Sequence, residues 1–437
     1  MKKVIVLLCF SFVTIAMFGQ SNGNLKKSDT HLITNKEYRQ FTNWVRDSLA
    51  YRLLGSQIED YVIYEDKNGK ELEEFQINWR KKFDWKGKDE REMLDEMYLL
   101  PHERYYRKRE LDTRRYLYMG VMIYPDTTFW INNTDTNTQY YSENLIKYYN
   151  WHKYFDNFPA QGVSDKQINC FLDWKTKMDK KSHKFFMERE EILEDDTPRK
   201  LATKINSDFW RITNKDYKEF MFWCKDSIAY HKLGINEGME KYLVWEDKYK
   251  NPIETPIINW KNKINWNGDK EKEILLEMYL PSDEYKFIVT QLDWKKINFE
   301  YYFIDYKAEG VRRNELTDNI WQDRSMQIFM NEINVFPDSI EWQKKNTNID
   351  FNLGFWDKKY DKELVAGISY EQAKAYYHWK IYKSKQKVNV KNKNPIGEMV
   401  MPTIEQWEQA MSGKEIKPVQ FDIPLSGKQY FYQSNSK

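Results

Sequence analysis

Apolar residues behind Thr34 fall at Tyr38, Phe41, Val45, Leu49 and Leu53, spacings of three and four that lay one apolar stripe along a helix. Thr34 and Glu37 mark where that helix starts. They form a Thr-x-x-Glu capping box, in which hydroxyl and carboxylate satisfy each other's backbone donors. The pattern returns at Thr213 and Asp216, followed by Tyr217, Phe220, Cys224 and Ile228, so Cys224 lies on the buried stripe. Two more helices are predicted by the same device. Ser164 and Gln167 lead into Ile168, Phe171 and Leu172, up to Trp174; Ser369 and Gln372 lead into Ala373, Tyr376 and Tyr377, up to Trp379. Each follows a matching stretch, Ala160-Gln161-Gly162-Val163 or Val365-Ala366-Gly367-Ile368, that suits a strand or turn feeding the helix. A last helix is predicted from Thr403, after Met401-Pro402, and carries Trp407 and Ala410.

These echoes belong to a long internal repeat. Thr34-Asn35, Trp44 and Asp47-Ser48 return as Thr213-Asn214, Trp223 and Asp226-Ser227. Downstream, Ile77-Asn78-Trp79 and Trp85 return as Ile258-Asn259-Trp260 and Trp266, and Leu111-Asp112 returns as Leu292-Asp293. A repeat of this length means duplicated modules rather than a solenoid. The inserts between the paired helices read as short strands and helices rich in Tyr. The resulting organisation is a first module over residues 29–177, a charged helix and linker over 178–207, and a second module over 208–437.

A chain of 437 residues can hold two or three ordinary cores. Aromatics make up 16% and charged residues 31% of it, with a mean hydropathy of -0.86. That combination fits a modest core sealed by large amphipathic rings, or a surface studded with aromatic anchors. The recurrence of Trp at matching places in both copies favours the core. The net charge is +2, with Lys2 and Lys3 in a segment expected to be removed, and no basic block is long enough to track phosphates. A nucleic-acid role is therefore not expected. Residues 1–20 combine Met1-Lys2-Lys3, a short apolar run from Val4 to Phe18 and a Gly19-Gln20 exit, as a cleaved secretory signal does. Cys9 sits inside the apolar run, not after a small residue at its end, so a lipid anchor is not expected. No later stretch is long and apolar enough to span a bilayer. Cys170 and Cys224 remain, in non-equivalent places of the two copies, and are expected to be buried and unpaired.

The order Thr-Asn-x-x-Tyr-x-x-Phe, Gly-Ile-Ser-x-x-Gln-Ala with a Trp closing the helix, and Pro-Thr-x-x-x-Trp-Glu resembles the formylglycine-generating enzyme, or sulfatase-modifying factor, family. The matching residues are Thr213, Asn214, Tyr217 and Phe220; Gly367, Ser369, Gln372 and Trp379; and Pro402, Thr403, Trp407 and Glu408. The first copy matches at Thr34, Asn35, Tyr38, Phe41, Gly162 and Trp174. Tyr124-Pro125-Asp126-Thr127 and the stretch from Trp151-His152 to Pro159 look most like the GldK/PorK lipoproteins of gliding and type IX secretion machinery in Bacteroidetes. The resemblance implies an α+β fold of two degenerate C-type-lectin-like modules with irregular inserts. The first copy lacks the Pro-Thr-x-x-x-Trp-Glu helix. The second ends before the region where the family carries its copper-binding cysteine pair, and Cys170 has Ala375 in its place in the second copy.

Thiol oxidation of that kind needs two close thiolates holding a soft metal. Cys170 and Cys224 would have to converge from separate copies. Six histidines are scattered with no His-x-x-x-His pair, and His152 reads as a packed structural residue. The acidic run from Glu188 to Asp196 reads as a solvated face, and Asn132, Asn133, Asp135 and Asn137 as an ordinary polar loop. No catalytic residue, cofactor or metal ligand is assigned. The expectation is a non-catalytic exported scaffold, in the periplasm or at the outer membrane, binding envelope proteins; self-association is compatible with it. The narrower expectation is a secretion or motility ring component as partner. A carbohydrate- or peptidoglycan-binding module and a residual oxidase are the alternatives.

Overall fold

In the computed structural model the described residues are 31–104, 109–132, 145–181, 183–191, 203–204, 207–284, 291–306, 308–310, 324–385, 401–413, 420–421 and 429–435. The signal segment, the polar loop beyond Asn132 and the acidic stretch beyond Glu191 lie outside them. The fold mixes helices with small antiparallel sheets. In chain order come β1 (His31–Leu32), α1 (Asn35–Gly55), the hairpin β2 (Val62–Glu65) and β3 (Glu71–Ile77), and α2 (Lys88–Met93). Then follow β4 (Leu117–Tyr118), β5 (Val121–Met122), α3 (Thr128–Asn132), α4 (Asp165–Met178), β6 (Lys184–Glu191) and β7 (Thr203–Lys204).

The second half retraces this course. It runs through α5 (Asn214–Gly234), the hairpin β8 (Leu243–Glu246) and β9 (Pro252–Ile258), and α6 (Asp269–Leu275). A ribbon of β10 (Asn298–Ile304) and β11 (Ile328–Asn334) follows, then α7 (Ser339–Lys345), α8 (Phe351–Gly354), α9 (Tyr370–Lys385), α10 (Ile404–Met411), β12 (Gln420–Phe421) and β13 (Gln429–Asn435). The repeat therefore extends from residues to elements: each hairpin carries a bulge at the same place, between Ile63 and Glu65 or Val244 and Glu246. Each long helix ends on a glycine, Gly55 or Gly234, where an added Cβ would lie 2.4 or 2.3 Å from Val62 or Leu243 at the start of the hairpin.

Two expectations are corrected. Among the described residues of 178–207, the stretch after α4 ends at Met178 is not helical: Lys184–Glu191 is an eight-residue strand. It pairs with β13, which lies between β6 and β1 in a three-stranded sheet. The last strand of the chain therefore completes the first copy, and Tyr430 and Tyr432 are buried in the cluster that holds Tyr38, Phe41 and Phe171. The stripe along α1 also differs from the one expected. Tyr38, Phe41 and Val45 are buried, but farther along the buried residues are Ala50, Tyr51 and Leu54, while Leu49 and Leu53 are only partly covered. A repeated spacing of four drifts by about 40° per step around a helix of 3.6 residues per turn, so the second half of α1 turns another side inward.

The halves are joined by apolar and ionic contacts. Trp130, Tyr149 and Phe155 of the first copy belong to the large core built around α5 and α9. Beside it, the buried Arg324 pairs with Glu110 at 2.8 Å and Glu309 at 3.4 Å, and its backbone N–H donates to Glu103 at 3.1 Å. Arg114 bonds Asp112 at 2.7 Å in the same layer.

Candidate functional site

The motif residues converge, within each copy, where the long helix meets the second one. Thr34 caps α1 in a complete box, with Glu37 N–H donating to its hydroxyl at 3.3 Å and the Glu37 carboxylate accepting from its N–H. At α5 Asp216, one methylene shorter, instead accepts from the Thr213 hydroxyl at 2.8 Å. Asn35 is buried and its Nδ2 donates to the carbonyls of Tyr149 and Phe155, both at 3.1 Å; Asn214 donates to Tyr360 at 2.9 Å. The Tyr38 hydroxyl donates to the Ile123 carbonyl at 2.7 Å, and Tyr217 to Val335 at 3.0 Å. Burial pushes both phenols well above their usual range, so they stay protonated donors.

The second helix is fixed in the same economical way. Gly162 and Gly367 both have φ of 71°, and a Cβ on either would lie 2.3 or 2.4 Å from the carbonyl oxygen of Asp126 or Asp338. Only glycine takes that conformation with the backbone so close. Ser164 with Gln167 and Ser369 with Gln372 form the predicted boxes. Each Gln amide then donates twice across the fold, Gln167 to Met122 and Tyr124 at 2.9 Å each, and Gln372 to Asn334 and Phe336 at 3.0 and 2.8 Å. Around α10 the Pro402 carbonyl accepts from Tyr370 at 2.7 Å, Thr403 caps the helix with Gln406, and Trp407 packs on Tyr370. Glu408 is exposed. Apart from it, the polar motif side chains are spent on holding backbone in place.

The cysteines are free, buried and in different clusters, Cys170 beside Phe171 and Cys224 beside Phe220. Burial pushes both thiols up, with Asp173 adding to the effect at Cys170. That is away from the thiolate a nucleophile or soft-metal ligand needs. His152 accepts from the Tyr154 N–H at 3.2 Å and caps a short turn, and burial together with Arg39 lowers its pKa. The hollows beside Asp338 and Phe336 are open troughs.

What reaches the surface in both copies is a ladder of rings. Phe41 touches Trp174, Trp174 touches Trp44, and Trp44 stacks on Trp79 with centroids 5.9 Å apart. The second copy repeats it as Phe220, Trp379, Trp223 and Trp260, the last pair again 5.9 Å apart. Tyr51 and Tyr230 brace the outermost indoles at 5.0 and 4.9 Å. Such contacts contribute about 0.5–1.5 kcal/mol each beyond area burial and hold the rings rigid. Trp79 and Trp260 remain 40% and 43% exposed. Beside each ladder a cation lies over the next ring, Arg46 over Trp85 at 5.1 Å and Lys225 over Trp266 at 4.3 Å. The sequence marked these tryptophans as recurring but not as surface groups, because the exposure of Trp79 is set by how it packs on Trp44 and Tyr51 of α1. No family model, curated protein or solved structure matches the chain. No helix among the described residues is long and apolar enough to cross a membrane.

Proposed function

We propose that this chain is a non-catalytic, exported adaptor of the cell envelope, built from two degenerate sulfatase-modifying-factor-like modules of C-type-lectin type. In this reading Trp79 and Trp260 are paired anchors for a protein partner, with a secretion or gliding-motility assembly of the GldK/PorK kind as the setting. The observation that carries it is the split between the two residue sets. The family-motif side chains are consumed in caps and buckles, whereas the braced indoles end at solvent in both copies. Rigid, half-exposed Trp is the residue type that carries interface energy at low entropic cost. Buried thiols with raised pKa weigh against a residual oxidase. The test is capture from envelope extracts with wild type and a Trp79→Ala/Trp260→Ala variant. The adaptor reading expects secretion or motility ring proteins with the wild type and at least a tenfold loss with the variant, about 1.4 kcal/mol or more. Equal recovery would defeat it. A glycan-binding reading is favoured by the tyrosines that brace these indoles, Tyr51 and Tyr230, each lying in the field of a carboxylate, Asp47 or Asp226; glycan-array binding abolished by the variant would replace the first reading.

A further inference from the structure

One residue before the ladder tryptophan of each long helix the copies differ: Asn43 precedes Trp44, whereas Phe222 precedes Trp223 and is exposed. They differ again after Asp112 and Asp293, where Thr113 of the first copy is Trp294 in the second. In the first copy Tyr124 stacks directly on Trp151, with centroids 4.8 Å apart. Phe336 and Trp356 hold the matching places in the second copy, and Trp294 lies between them, stacked at 5.8 Å on Phe336 and 5.5 Å on Trp356. Phe222 closes on Trp294 and Trp356, at 5.9 Å from each. A wall of rings therefore stands in the second copy where the first has a single pair.

The rim of this wall carries uncompensated positive charge. Asp226 pairs with Lys225 at 3.0 Å, Asp293 with Lys296 at 3.5 Å, and Asp361 with Lys218. Glu219, one turn before Phe222, lies in the field of Lys380. Lys295, next to Trp294, and Lys358, two residues after Trp356, are exposed and join no ion pair among the described residues. Facing them is Asp357, whose carboxylate caps the turn at the Lys359 N–H. In the first copy the residue matching Lys295 is Arg114, which is buried against Asp112. Both faces of Trp294 are covered by stacked rings, so it meets solvent by its edge, the positive rim of the ring quadrupole. Ring edges and free lysines favour the same ligand chemistry, apolar side chains accompanied by carboxylates. We infer that the second copy holds a docking surface of its own, formed by Phe222, Trp294 and Trp356 with Lys295 and Lys358, which takes an acidic segment of a partner protein bearing aromatic or aliphatic side chains. The inference deepens the adaptor reading and rests on it for the premise that the ligand is a protein; its residues are separate from Trp79 and Trp260.

Selection of a displayed library of random peptides on the purified full chain tests it, with the selected peptides then titrated by fluorescence anisotropy. The selected sequences are expected to be enriched in Asp and Glu beside Phe, Trp or Leu, and to bind more weakly at high salt. Phe222→Asn with Trp294→Thr installs the residues that the first copy carries in the same frame, and should weaken binding about tenfold or more. Lys295→Glu with Lys358→Glu changes exposed groups alone, so it leaves the packing intact. It is expected to lose the acidic peptides to the same extent and to take versions with Lys in place of Asp and Glu. Trp79→Ala/Trp260→Ala is expected to bind the selected peptides as wild type does. A library that yields no peptides, peptides without acidic enrichment, or peptides held equally by wild type and both wall variants would each overturn the inference. So would a loss confined to Trp79→Ala/Trp260→Ala, which would support the adaptor reading while removing this surface from it.

Discussion

Up to the Leu-Asp turn the two copies follow one path, and beyond it they part. After Asp112 the first copy crosses a two-stranded ribbon with two residues per strand, β4 and β5, turned at Met119 and Gly120. After Asp293 the second builds seven-residue strands, β10 and β11, whose far end brings Arg324 to the joint between the halves. The contacts of the invariant frame survive this divergence. Tyr38 and Tyr217 find a carbonyl at the end of the ribbon in either form, and Gln167 and Gln372 stitch the same two carbonyls. Closure also differs: the first copy imports β13, while the second seals its core with α10 and Trp407. The repeat thus preserves the side chains that fix backbone, while the variable pieces between them add contacts, such as those of Arg324, that join one half to the other.

Removing residues 429–437 should break that comparison most severely. The deletion takes away the middle strand of the β1–β13–β6 sheet and uncovers the core that Tyr430 and Tyr432 seal. Losses of two buried aromatic side chains predict a cost of at least about 5 kcal/mol to the first copy. Hydrogen exchange resolved by peptide is expected to show α4 losing protection while α9 keeps it. Equal loss in both would mean the halves do not close independently.

Gly162→Ala and Gly367→Ala sharpen the comparison at a shared position. Both demand a left-handed backbone, which costs an L-residue about 1–2 kcal/mol, before the approach to the Asp126 or Asp338 carbonyl is counted. A loss of about 2 kcal/mol or more is expected from each in chemical denaturation, and of similar size. A neutral result at either glycine would show that its buckle is not needed.

The smallest effect is a pH dependence confined to the first copy. Burial alone would raise the pKa of Glu37, but its hydrogen bond and charge pairing with Lys175, the Tyr432 hydroxyl and the Thr34 N–H together hold it below the ordinary 4.5. Its folded pKa is therefore the lower one. The stabilisation is complete above the unfolded value and is lost as pH falls through the folded one. Amide protection of β13 is expected to decline in that acidic window in wild type and to be reduced, with a flatter profile, in Glu37→Gln. An unchanged profile in the variant would remove Glu37 from the clasp.

Local devices were legible in the chain. The boxes at Thr34, Ser164, Ser369 and Thr403 lie within one helical turn, so a four-residue pattern is enough to place them. The pairing of the copies was legible too, since it is written in aligned residues. What escaped was non-local. Lys184–Glu191 is as charged as a solvated helix, and its strand state is decided by a partner far along the sequence. Arg324 and Glu103 meet across 221 positions, so nothing near either residue announces the junction. The candidate site was half visible: recurrence singled out Trp44, Trp79, Trp223 and Trp260, but which indole ends at solvent is fixed by packing between elements.

The placement of β13 also sets a timetable. Tyr432 reaches Glu37 across 395 positions. The half made first must therefore wait for residues 429–435 before its sheet can shut. Until then Tyr38, Phe41 and Phe171 lack their lid, an open aromatic surface that invites chaperones or premature clumping, and this half matures only after the second half has been made.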